Sequence, residues 1–111
     1  MGKDNLYKSH ILESINDIES FTANLDYEKF LTDKLHRLAI IRSLEIIGEA
    51  ANKLSDDFLK RYPSIPWHDV VGLRNRVIHE YFRINNRAVW QVIKHDLPKL
   101  EAALQSKTPL S

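Results

Sequence analysis

The sequence predicts an all-α protein: an up-and-down antiparallel four-helix bundle that dimerises through its third helix. Three observations predict it. The 111 residues include only 3 glycines and 4 prolines, too few breaks for a series of short strands and turns. Apolar positions recur three and four residues apart along most of the chain, the spacing of one helix face. No window alternates with period two over a strand's length.

Tyr7, Ile11, Ile15, Ile18 and Phe21 form one stripe on a first helix from about Asp4 to Thr22, with Asp4 as its N-cap. Asn24–Asp33 carries Tyr27, Phe30 and Leu31 in a polar setting, a connector or one short turn. A second helix runs from about Thr32 to Leu54, its main stripe Leu35, Leu38, Ala39, Arg42, Ile46, Ala50 and Leu54, with Ile41 and Leu44 alongside. Gly48 sits inside that pattern, where it costs about 1 kcal/mol against alanine unless a neighbouring helix must come close. Ser55–Asp56–Asp57 caps a short helix, Phe58–Tyr62, which Pro63 ends. A third long helix is expected from Trp67 to Phe82 and a fourth from Asn85 or Asn86, with Val89, Val92, Ile93 and Leu97 inward. Pro98 should kink or shift that last helix near Lys94.

At this length one domain is expected, residues 1–106, with a flexible tail at 107–111. A 43% apolar and 28% charged composition is ordinary globular usage. The chain has no cysteine, which excludes disulfides, thiolate metal sites and a cysteine nucleophile. The longest apolar run, Leu38–Ile41, is far short of the ~20 residues of a membrane span. No apolar segment follows Met1–Asn5, so no secretory signal is expected and the protein reads as soluble and cytoplasmic.

Net charge is only +1, but it is unevenly spread. Met1–Asp33 carries 3 basic and 7 acidic residues; Arg74–Lys99 carries 6 basic and 2 acidic. The basic half could face a polyanion or be a solvated helix surface. None of the five histidines has the spacing of a helical metal site. Trp67 and Trp90 are read as packing anchors in preference to base-stacking platforms. Glu49 either bonds a side chain of the basic segment or faces solvent.

Leu73–Phe82 concentrates the chemistry: Arg74, Asn75, Arg76, His79 and Tyr81 lie within about two helical turns. Cleaving an RNA strand with its own 2′-hydroxyl needs a base, an acid and a cation for the charged phosphorane. Histidine and arginine supply these without a metal or cofactor. On one straight helix, however, His79 lies roughly 140° around from Arg74, while Arg74 and Tyr81 share a face. Either Arg74 reaches round, or two chains build the site and two copies of His79 serve as acid and base. The plainer reading of the spacing is a surface arginine, a surface histidine and a core tyrosine.

Arg74-x4-His79-x-Tyr81, with Asn75 after the arginine, resembles the R-x4-H-x-Y signature of the HEPN superfamily, nearest the HepT-like toxins. Ile46–Ala51, Ile65-Pro66-Trp67, Gly72–Asn75, Val89-Trp90 and Asp96-Leu97-Pro98 resemble further segments of that family in the same order. The resemblance implies an all-α homodimer, or a higher oligomer, with metal-independent endoribonuclease activity. It makes Arg74 and His79 catalytic and Asn75 supporting. It further implies a type VII-like toxin–antitoxin pair, in which a minimal nucleotidyltransferase antitoxin adds AMP to Tyr81. Arg76, Arg83 and Arg87 are candidate contacts to the RNA backbone, or to an acidic antitoxin surface. The alternative is a non-catalytic helical subunit that binds nucleotide or substrate for a nucleotidyltransferase.

Overall fold

The computed structural model describes residues 2–75 and 86–105. The described residues are mostly helical and contain no strand. They comprise α1 (Gly2–Thr22), α2 (Tyr27–Thr32), α3 (Lys34–Asn52), α4 (Asp56–Lys60), α5 (Trp67–Val71), α6 (Asn86–Gln91), a π-helical turn at Val92–Asp96, and α7 (Leu97–Leu104). No helix among them is long and apolar enough to cross a membrane.

α1 and α3 form the central antiparallel pair. At one end Asp4 bonds Ser55, just beyond α3; at the other the Phe21 and His36 rings meet edge to face. Ile11, Ile15 and Ile18 are almost wholly buried, as the α1 stripe predicts. Ile40, Leu44 and Ile47 supply α3's share of the core. Each buried aliphatic side chain contributes roughly 1.5–3 kcal/mol, so this seam is the main source of cohesion. The rod formed by α6, the π turn and α7 adds Val89, Val92, Leu97, Leu100 and Leu104. It lies against α1, where Glu101 sits beside Glu19. Burial, then the hydrogen bond and like charge of Glu19, hold the Glu101 carboxyl above its ordinary range.

Four local expectations are corrected. Asp4 does not cap α1, because the helix already starts at Gly2; its carboxylate instead reaches across the bundle to Ser55. The Asn24–Asp33 connector contains α2, capped by the Asp26 side chain on the Lys29 amide. The third helix is interrupted: α5 stops at Gly72, helical residues resume at 73–75, and the rest of the expected helix lies outside the described residues. Finally, Leu35, Leu38 and Arg42, assigned to the inner stripe of the second helix, face outward at 77%, 42% and 61% exposure. The core face runs through Ile40 and Ile47 together with Ile41 and Leu44, expected alongside the stripe, and keeps Ala50 and Leu54 of the stripe itself.

The Pro98 expectation is met. Proline has no N–H for the carbonyl one turn back. The backbone widens just before it, and the Leu97 amide bonds the Val92 carbonyl five residues away. The expected tail at 107–111 lies outside the described residues.

Candidate active site

Two helices approach closely at Gly48. A Cβ built there would stand 2.9 Å from the Arg74 amide nitrogen and 3.3 Å from the Val71 carbonyl. Only glycine lets the α5 side of the molecule press this near to α3, which answers the sequence question of why a glycine interrupts a helix core. Trp67 fixes the incoming chain, its indole N–H shared between the Leu59 and Tyr62 carbonyls. Trp67 is therefore a packing anchor, as its sequence setting predicts. Leu73 is buried, so the next residue, Arg74, is turned outward.

Arg74 lands on a groove of about 500 Å³ lined by Gly48, Glu49, Asn52, Lys53, Val71 and Asn75. Its side chain is 58% exposed. Its Nε lies 3.7 Å from a Glu49 carboxylate oxygen, and the same oxygen is 3.5 Å from a terminal nitrogen of Arg42. Arg42 also meets Glu45 at 3.8 Å. One carboxylate oxygen therefore stands near two guanidinium groups: Glu49 faces a motif side chain at ion-pair distance, without a hydrogen bond to it, and stays partly exposed. Because Glu49 engages the Nε side of Arg74, the fork can be steadied without surrendering its whole donor set. In water a pair this exposed is worth little as stability; its effect is on orientation.

Arg42 is the functional candidate that the sequence reading missed. The signal was there: glutamates three and seven residues on, at 45 and 49, lie along the same side of a helix as Arg42 and are poor company for a core position. Asn75 is exposed beside Arg74 at the groove rim. Arg87, on α6, lies apart from this groove, its guanidinium 4.5 Å above the Tyr27 ring. His79, Tyr81, Arg76 and Arg83 lie outside the described residues.

The chain is thus an all-α bundle with Arg74 and Asn75 at a groove beside Gly48 and Glu49 of α3. The chain matches the family described as Ribonuclease HepT-like over residues 11–106, and it belongs to that family. It is 45% identical over 95 residues to a Methanocaldococcus jannaschii protein named "Putative RNase MJ1380", covering 86% of this chain and 87% of that one. It is 40% identical over 99 residues to the "Probable ribonuclease HepT" of Thermococcus cleftensis, covering 89% and 90%. A Caldanaerobacter subterraneus protein, "Putative RNase TTE0752", is 37% identical over 95 residues, covering 86% and 85%. No solved structure matches the chain.

Proposed function

We propose that this chain is a metal-independent endoribonuclease, the toxin of a type VII-like HEPN/MNT toxin–antitoxin pair acting in the cytoplasm. The observation that carries the reading is the exposed Arg74, steadied by Glu49 over a groove that Gly48 makes possible. The names of the relatives support the substrate class. Arg74 grips the scissile phosphate and takes up the charge that grows on the phosphorane. His79 of one copy removes the 2′-hydroxyl proton, and His79 of a second copy returns a proton to the departing 5′-oxygen. Asn75 orients these groups by hydrogen bonding.

Regulation follows from the same cation. The cognate nucleotidyltransferase transfers AMP from ATP to the Tyr81 phenol oxygen and releases pyrophosphate. The new phosphodiester brings an anion and a nucleoside to the segment that Arg74 leads, competing with RNA for that charge.

The test is cleavage of total RNA by the purified chain with chelator present. Wild type should cut, and His79→Ala should lose roughly 10²–10⁴-fold while keeping its helicity. Equal cleavage by wild type and His79→Ala, or activity that chelator abolishes, would refute the mechanism. A second arm reads intact mass after incubation with the nucleotidyltransferase, ATP and Mg²⁺. One AMP should appear on wild type and none on Tyr81→Phe.

A further inference from the structure

Away from the Arg74 groove, α2 and α6 build a small aromatic surface edged with positive charge. Phe30 is wholly buried and acts as its root. The Trp90 ring packs 5.1 Å from Phe30, and the Tyr27 ring 5.9 Å from Trp90. Tyr27 and Trp90 are both only partly buried. Above Tyr27, at 4.5 Å, stands the Arg87 guanidinium, and above Trp90, at 4.8 Å, the Lys94 ammonium. Arg87 and Lys94 are three residues before and four residues after Trp90, so the three share one side of the rod. Among the described residues no carboxylate stands within ion-pair distance of either cation. Arg42 and Arg74, by contrast, share Glu49.

We infer that Tyr27, Trp90, Arg87 and Lys94 form a second nucleic-acid subsite, which takes unpaired bases of a single-stranded RNA. The inference rests on the ribonuclease reading for its ligand and adds a preference for unstructured strands. Bases need flat π-faces on rigid supports, and phosphates need cations at the edges; this surface offers both. The Lys94 stem is flexible and can swing off Trp90 to meet a phosphate. The Arg87 guanidinium can carry a base on its outer side while it stays on Tyr27. A duplex keeps its bases stacked inside and gains only the charges. An acidic protein face would use Arg87 and Lys94 and leave the rings idle, so the aromatic half of the patch argues for RNA.

The test uses the full chain and a short, unstructured 2′-O-methyl oligoribonucleotide, which lacks the 2′-hydroxyl that cleavage needs. Its duplex and heparin serve as controls. In a Trp67→Phe background the remaining indole is Trp90, and the single strand should quench its emission where heparin does not. By fluorescence anisotropy on the otherwise wild-type chain, Arg87→Ala with Lys94→Ala should weaken single-strand binding about ten-fold or more. Tyr27→Leu should weaken the single strand and spare the duplex and heparin. Equal losses from Tyr27→Leu for single strand, duplex and heparin would overturn the inference and leave a plain cationic face, as an acidic partner would use. Tight single-strand binding without any change in Trp90 emission would overturn it too. The two readings fail separately: quenching by a chain that cleaves nothing keeps the subsite and sinks the nuclease, while cleavage without quenching does the reverse.

Discussion

Asp4 and Glu49 are carboxylates at the same end of the α1–α3 pair, and they do opposite things. Asp4 is buried and receives two hydrogen bonds from Ser55, from the amide at 2.9 Å and from the hydroxyl at 2.6 Å. Ser55 in turn caps α4, its hydroxyl oxygen accepting from the Phe58 amide. Asp4 thus closes the start of α1 onto the end of α3 and the head of α4. Glu49 sits on the outer side of α3, half-exposed between Arg42 and Arg74. Its contacts are long, open to water and to competing anions. A short bond to a neutral, fixed donor stabilises a fold; a long contact to an exposed cation leaves that cation available to something else. The first carboxylate holds the bundle shut and the second holds a charge ready.

Gly48 offers the hardest blow to this contrast. In Gly48→Ala the new methyl meets backbone, which cannot swing aside as a side-chain end could. The two helices must part, at a cost of roughly 1–3 kcal/mol of stability. The shift also carries Arg74 away from Glu49, so cleavage per folded molecule should fall as well. Thermal unfolding and RNA cleavage on the same samples check both. A stable Gly48→Ala chain with full activity would show that the close approach matters to neither.

Much of the bundle was legible because its signals are local. Ile11, Ile15 and Ile18 repeat at helical spacing, Ser55 precedes its helix, and Pro98 must disturb the turn before it. The close approach at Gly48 could be read as a question, since glycine is costly inside a helix without a reason. What stayed hidden depends on partners distant in sequence. Asp4 looked like a helix cap because its real partner is 51 residues away. Leu35, Leu38 and Arg42 fitted an inner stripe because apolar spacing defines a face without saying which neighbour covers it. At the site, the Arg74–Asn75 pair was visible as a motif, whereas the Arg42–Glu49 side of the groove comes from a different helix and needed the fold to bring it there.

Glu49→Gln sharpens the contrast without moving backbone. The amide keeps the shape and loses the charge that two guanidinium groups share. An exposed pair at this distance is worth at most about 1 kcal/mol, so cleavage should drop roughly five-fold and melting should barely change. The loss should shrink at high salt, where the pair is screened in wild type already. A large fall in melting temperature instead would make Glu49 a structural residue like Asp4.

Asp4→Asn should change cleavage least of the three, and it separates the two carboxylates by pH. The Ser55 side-chain hydrogen bond, and then the Ser55 amide, hold the Asp4 carboxyl below its ordinary range in the folded chain. A group with a depressed folded pKa stabilises above its unfolded value, about 3.9 for aspartate. That contribution disappears as pH falls through the folded value. Asparagine can accept only one of the two Ser55 bonds, through its single carbonyl oxygen, and it carries no charge at any pH. Wild type should therefore melt higher than Asp4→Asn at neutral pH, and the gap should narrow below about pH 4 as the wild-type carboxyl is protonated. Melting followed by circular dichroism at neutral and acid pH measures it. RNA cleavage at neutral pH, below the melting range of both chains, should be the same for the two. A gap that does not change with pH would mean that shape and not charge ties Asp4 to Ser55. A cleavage defect in folded Asp4→Asn would mean that the clasp also tunes the groove, and the division of labour between the two carboxylates would fail.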